Sequence, residues 1–186
     1  PVPRASVGSI MPETEVKLVG PNGGERDDIG EFWIRSPANT PGYHNLPEVT
    51  AERFVDGWLR TGDLARMDQD GYVYFVDRAK DMIVSGGLNI YSREVEDALE
   101  AHPAVNEAAV LPVPDDEFGE SVFAYVTFQA GASATEDELI AHCREMIASY
   151  KKPKYIREID VLPRNSTGKI VKVALRERAA KELTDA

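Results

Sequence analysis

A chain of 186 residues with 42% hydrophobic content can bury a core and fits one large domain or two small ones. A net charge of -11 excludes a nucleic-acid or anionic-lipid surface, since either needs a basic face, so any polyanion must be met by local cations. The single cysteine, Cys143, excludes an internal disulfide. With no membrane-length apolar run and no basic-then-apolar leader, a reducing, cytoplasmic setting is expected.

The first third reads as β structure. Glu15-Val16-Lys17-Leu18-Val19 and Glu31-Phe32-Trp33-Ile34-Arg35 alternate apolar and polar residues around the turn formers Pro21-Asn22-Gly23-Gly24, the pattern of a half-exposed hairpin sheet. Pro41 to Asn45 predicts a loop. Pro47 to Phe54 predicts a short helix with Thr50 as candidate cap, closed at Gly57. Leu64 to Met67 and Tyr72 to Val76 flank Asp68-Gln69-Asp70-Gly71, and Asp-Gly between two such runs signals a hairpin, in which Tyr72, Tyr74 and Phe75 are expected to pack. Asp77-Arg78-Ala79-Lys80-Asp81 then puts four charges into five residues. The domain boundary is placed there, with residues 1–77 forming a β-rich unit and 78–186 a second, α+β unit.

In the second unit strands and helices alternate. Met82 to Val84 predicts a strand, Ser92 to Ala101 a helix, and Glu107 to Leu111 and Ser121 to Gln129 two further strands. Thr135-Glu136-Asp137-Glu138 opens a helix with a capping box, and Leu139, Cys143, Met146 and Ile147 are expected to share its apolar face. A last strand, Tyr155 to Val161, precedes a helix from about Val171 to Leu183 with Leu175, Ala179 and Leu183 on one side.

Three stretches carry side chains suited to chemistry. In Trp58-Leu59-Arg60-Thr61-Gly62-Asp63 the carboxylate can accept from both hydroxyls of a ribose, though a Thr-Gly-Asp run more often closes a polar turn. In the segment from Asp77 to Ile90, Arg78 can donate to ribose or phosphate oxygens, or pair with Asp77 or Asp81. Gly86 and Gly87 permit φ > 0 and close approach of a ligand to the backbone, as a plain turn also would. In Pro163-Arg164-Asn165-Ser166-Thr167-Gly168-Lys169-Ile170-Val171-Lys172, turn formers bring Lys169 to a loop edge where its ammonium suits a phosphate. Taken alone, a lysine after a glycine on an acidic chain is usually a solvated surface charge. No Gly-x-x-x-x-Gly precedes it and no Ser or Thr follows it, which excludes a phosphate-cradling loop. Asp115-Asp116-Glu117 reads as a surface loop, and His44, His102 and His142 lack ligand spacing, so neither a metal site nor a histidine acid–base pair is expected.

In their order and separations, these three stretches resemble the core motifs of the adenylate-forming superfamily: acyl- and aryl-CoA synthetases, luciferases and peptide-synthetase adenylation domains. The resemblance covers nearly the whole chain. It implies that residues 1–77 end the large N-terminal domain and that 78–186 are the small mobile C-terminal domain. It also implies a role for each matching residue. Asp63 would hold the ATP ribose, Arg78 would contact the nucleotide, and Lys80 would be the hinge. Gly86 and Gly87 would line the pantetheine channel, and Lys169 would bridge the α-phosphate and the attacking carboxylate. The implied activity joins a fatty or aryl carboxylic acid to ATP as an acyl-adenylate and passes the acyl group to coenzyme A, with Mg2+ accompanying the ATP. The family's Ser/Thr- and glycine-rich phosphate loop and most of its acid pocket are not in these residues. The chain is therefore expected to hold part of an active site, to be inactive alone, and to need a missing N-terminal part as its partner. The alternative is a free-standing, non-enzymatic module that binds nucleotide, coenzyme A or a carrier protein.

Overall fold

The computed structural model describes residues 3–184, which divide into two units, one up to Lys80 and one from Asp81. The division falls three residues beyond the boundary read from charge density. The reason is that the last strand of the first unit stays paired through Arg78, opposite Asp63, and Ala79 N–H still donates to Gly62 O at 2.9 Å.

The first unit consists of β1 (Gly8–Ser9), β2 (Glu15–Val19), β3 (Glu25–Arg26), β4 (Ile29–Arg35), α1 (Pro47–Arg53), β5 (Phe54–Val55), β6 (Trp58–Met67) and β7 (Tyr72–Arg78). These strands form one antiparallel sheet in the order β1-β7-β6-β4-β2-β3, with β5 on β6. Alternation sends Leu18, Phe32, Ala65 and Val73 to one face, where they form a small core. On β2, β4 and β6 the intervening residues stack cations on indoles. Lys17 Nζ lies 4.9 and 4.4 Å from the ring centroids of Trp33 and Trp58, a contact that covers the aromatic faces without an apolar layer.

Two expectations need correction here. Leu46, not Thr50, occupies the cap position of α1. Thr50 lies inside the helix, where its hydroxyl donates to Leu46 O at 2.8 Å and accepts from Tyr43 N–H at 2.9 Å. Thr61-Gly62-Asp63 does not close a turn but continues β6, whose first residues Trp58, Leu59 and Arg60 find partners on β4 and β5.

The second unit consists of β8 (Ile83–Ser85), β9 (Leu88–Ile90), α2 (Ser92–Glu100), β10 (Val105–Asp115), β11 (Gly119–Phe128), α3 (Glu136–Met146), a 3-10 turn at Ser149–Lys151, β12 (Tyr155–Glu158) and α4 (Lys172–Thr184). β11 pairs antiparallel with β10 and β8 and parallel with β12. Pro112 and Pro114 are tolerated because β10 is an edge strand of this sheet.

Both faces of the β10–β11 ribbon are covered, which is why its strands read as almost continuous apolar runs. Ala108, Val110, Val122, Ala124 and Val126 pack on Val95 and Leu99 of α2 and on Leu139 and Cys143 of α3. The alternate residues Ala109, Leu111, Phe123 and Tyr125 pack on Leu175 and Ala179 of α4. The unit is thus a helix–sheet–helix sandwich of the α+β class.

The capping box at Thr135 is formed in both directions. Its hydroxyl accepts Glu138 N–H at 3.3 Å, and Thr135 N–H donates to Glu138 Oε2 at 2.8 Å. Burial pushes the Cys143 thiol up to about 11, which leaves it inert as a nucleophile. Met146 does not join the apolar face: it is 54% exposed, and the chain leaves the helix in extended conformation at Ile147. β12 stops at Glu158, three residues before the expected end. Ile159 and Leu162 turn under α4 while Val161 points outward, 72% exposed.

Candidate active site

In the first unit, Asp63 on β6 faces Arg78 on β7, and Arg78 Nε stands 2.9 Å from Asp63 Oδ1. The local backbone is held by its neighbours. Glu31 Oε1 accepts Gly62 N–H at 3.1 Å, and Thr61 Oγ1 accepts Asp63 N–H at 3.1 Å while donating to Phe32 O at 2.6 Å. Gly62 has φ +76, and a Cβ there would come within 2.8 Å of Arg53 Nη1 and 3.6 Å of Arg78 Nη2. Glycine therefore lets two guanidinium groups close over the backbone beside the carboxylate. Arg78 thus finds Asp63 across the strand pair. Asp77 Oδ1 accepts the Arg78 backbone N–H at 2.7 Å, and Asp81 is paired with Arg176. Arg53 was missed in the sequence because it lies at the end of a separate helix, with nothing local to connect it to Gly62.

Lys80 is exposed, two residues after the end of β7's pairing with Asp63, and is the last residue before the division between units. Beyond it, Gly86 and Gly87 form the two-residue turn of the β8–β9 hairpin, with φ +57 and +80. Positive φ at both central positions is the requirement of a type I′ turn, and it accounts for two consecutive glycines. Gly86 N–H donates to Phe118 O at 2.9 Å, and a Cβ on Gly86 would meet the Phe118 ring at 3.2 Å, whereas Gly87 borders open space. Beside this turn lies a cleft of about 790 Å³ lined in part by Gly86, Phe118, Arg144, Tyr150, Lys152 and Lys154. Phe118 and Tyr150 are half-exposed there.

The acidic loop is tied down. Asp115 Oδ2 takes the Lys154 ammonium at 2.7 Å, and Oδ1 accepts Glu117 and Phe118 N–H, which together hold its carboxyl near 2. Histidines that are far apart in sequence do meet: the rings of His102 and His142 pack edge to face at 5.1 Å.

Lys169 sits on a loop whose backbone is almost fully engaged. Asn165 N–H donates to Lys169 O at 2.9 Å, Gly168 N–H to Asn165 O at 2.9 Å, and Val171 N–H to Pro163 O at 2.8 Å. Asn165 Oδ1 accepts the N–H groups of Thr167 and Lys169 at 3.0 and 2.9 Å, an Asx turn that competes successfully with regular structure. Arg164 closes the loop from outside by donating to Gly168 O at 2.7 Å and pairing with Glu107. The Lys169 side chain is exposed, and among the described residues no hydrogen bond or ion pair reaches its Nζ. A rigid base thus presents an unengaged ammonium. No helix among the described residues is long and apolar enough to cross a membrane.

Residues 94–169 match the family described as the AMP-binding enzyme C-terminal domain. The long-chain-fatty-acid–CoA ligase of Yersinia pestis is 41% identical over 95% of this chain and 32% of its own length. That of Bacillus subtilis is 42% identical over 97% of this chain and 32% of its own. The ATP-bound MatB structure from Rhodopseudomonas palustris superposes with a TM-score of 0.85 at 38% identity, over 94% of this chain and 35% of that one. The o-succinylbenzoate CoA synthetase of Bacillus subtilis, solved with its acyl-adenylate intermediate, superposes at 0.84 with 35% identity, over 92% of this chain and 35% of that one. The chain spans about a third of the length of the curated relatives it matches. Similar to these proteins in both sequence and fold along nearly all of its own length, the chain belongs to the adenylate-forming superfamily.

Proposed function

We propose that the chain supplies the mobile part of an AMP-forming acid–thiol ligase, with a fatty acid as the acid class favoured by the relatives' names. The observation that carries this is Lys169, whose ammonium has no partner among the described residues and sits on a hydrogen-bonded loop, in a chain that also pairs Asp63 with Arg78. In the first half-reaction a carboxylate oxygen attacks the α-phosphorus of ATP, the bond to the β-phosphate oxygen breaks, and pyrophosphate leaves. Lys169 lies between the two anions and offsets their repulsion. Asp63 accepts from the ribose hydroxyls, while Arg78, and beside it Arg53, donate to nucleotide oxygens. In the second half-reaction the unit beyond Lys80 turns and removes Lys169. It brings the Gly86-Gly87 turn to the acyl-adenylate, so that a thiol can approach bare backbone. The thiolate sulfur attacks the acyl carbon, AMP departs with the oxygen that bound it, and the thiol proton passes to solvent.

Coenzyme A suits the second unit. The cleft beside Gly86 offers two half-exposed rings, Phe118 and Tyr150, for a base and cations at Arg144 and Lys152 for phosphates. Magnesium arrives with the triphosphate on this reading. Among the described residues no three His, Cys, Asp or Glu side chains converge.

The test joins this chain to the part of the Bacillus subtilis ligase that it does not match. The reconstituted ligase is expected to show acid-dependent exchange of pyrophosphate into ATP and to form acyl-CoA, while the chain alone is expected to show neither. A folded reconstituted protein that binds nucleotide without exchange would favour the non-enzymatic binding module. Exchange by the chain alone would overturn the view that it holds only part of the site.

A further inference from the structure

Lys172 is the first residue of α4, and its ammonium is drawn back to α2, 2.7 Å from Glu96 Oε1 and 2.8 Å from Ser92 Oγ. One helical turn later on the same face, Arg176 lies 2.6 Å from Asp81 Oδ1. Both carboxylates belong to the small set of buried charged side chains, Glu96 being 7% and Asp81 6% exposed. Glu96 Oε1 also accepts Val110 N–H at 3.0 Å, so one oxygen ties α4 and β10 to α2.

Stability does not account for this arrangement. A cation in the first turn opposes the helix dipole, and α4 has no acidic residue there to compensate. A buried ion pair contributes little more than apolar side chains of similar volume, because desolvation offsets the attraction. What such a pair delivers is a single geometry. Here that geometry is the start of α4 relative to α2, and only Ile170 and Val171 separate it from Lys169. Ile170 bridges Arg164 and Val171 N–H is held by Pro163 O, so the position of Lys172 is transmitted to the loop with little slack.

We propose that Lys172 and Glu96 are positioning residues for Lys169. Their buried pair fixes the first turn of α4 and thereby aims the Lys169 ammonium, and Arg176 with Asp81 ties the same helix to the residue that follows Lys80. The proposal rests on the reading of Lys169 as the adenylation lysine. A misplacement of about 1 Å at a reacting centre can cost ~100-fold in rate, so the pair has a large effect available to it without touching substrate.

The test is the double variant Lys172→Met/Glu96→Gln in the reconstituted ligase. It removes both charges together and keeps an oxygen for Val110 N–H, so no buried charge is stranded. Acid-dependent pyrophosphate exchange is expected to fall about 10- to 100-fold, chiefly in kcat. Thioester formation from a supplied acyl-adenylate and the Tm are expected to stay near the parent values, and Lys172→Arg alone is expected to retain most of the exchange. Equal losses in both half-reactions would reduce the pair to a structural role and overturn the proposal. So would unchanged exchange activity alongside a crippled Lys169→Ala. If Lys169→Ala is itself without effect, the reading of that lysine fails, and amide hydrogen exchange decides on the clamp separately. Faster exchange at Gly168, Lys169 and Val171 in the double variant, with α3 unchanged, supports it, and unchanged exchange at those amides overturns it.

Discussion

Lys169→Ala in the reconstituted ligase is expected to depress acid-dependent pyrophosphate exchange by ~100-fold or more, the cost of about 3 kcal/mol that follows loss of one preorganised charge at a transition state. Two anions must meet for adenylation to occur, and the pentavalent centre concentrates their charge. The Lys169 ammonium can serve there because its loop is already ordered: Asn165, Arg164 and Pro163 hold the backbone, and no carboxylate among the described residues has to be displaced from its Nζ. Thioester formation from a supplied acyl-adenylate is expected to continue near the parent rate, since no phosphate repulsion remains to be offset. Exchange near the parent level in a folded Lys169→Ala protein would return the lysine to an ordinary surface charge.

Lys80→Pro is expected to show the opposite asymmetry. Proline fixes φ near -65° and removes the backbone donor, so a residue that must change its dihedrals between two arrangements is locked in one. Thioester formation is expected to slow by at least about tenfold, with adenylation much less affected, as for a conformational step made limiting. Single-turnover measurement of both half-reactions is the check, and equal losses would mean that the pivot lies elsewhere. Two observations support this position. The division between compact units comes directly after Lys80, and Asp81 on its far side is buried against Arg176, so freedom on that side is restricted. Arg78 on the near side is held by pairing with Asp63.

Local signals in the sequence translated into structure wherever the physics is local. The capping box at Thr135 needs only four residues, the Asp-Gly hairpin after Met67 only a turn, and the double glycine at Gly86 only a demand for positive φ; each is legible without knowledge of the fold. Leu175 and Ala179 were readable as the buried face of the last helix because helical spacing alone groups them. What stayed illegible depends on contacts between distant segments. The full length of β10 was hidden because Pro112 and Pro114 suggest a break, and only its edge position makes them acceptable. The Trp58-to-Arg60 stretch carries turn-like neighbours yet becomes strand through pairing with β4 and β5. Met146 obeys the helical period but lies where the chain peels away at Ile147.

The candidate site divides the same way. Asp63, Arg78, Gly86, Gly87 and Lys169 are named by their motifs. The support around them is not: Glu31 on Gly62, Arg53 over the same glycine, and Glu96 under Lys172 come from elements 9 to 76 residues away, at spacings that no periodicity marks. For Arg78 the sequence offers the nearby Asp77 and Asp81 as partners, while the strand register delivers the distant Asp63.

The central claim is that carboxylate oxygen is transferred to AMP through an acyl-adenylate, and isotope tracing tests it most directly. With a fatty acid labelled with oxygen-18 in both carboxyl positions, one turnover of the reconstituted ligase with ATP and coenzyme A should yield AMP carrying one labelled oxygen, alongside unlabelled pyrophosphate and singly labelled thioester. Label in inorganic phosphate with release of ADP, or AMP free of label, would contradict the account.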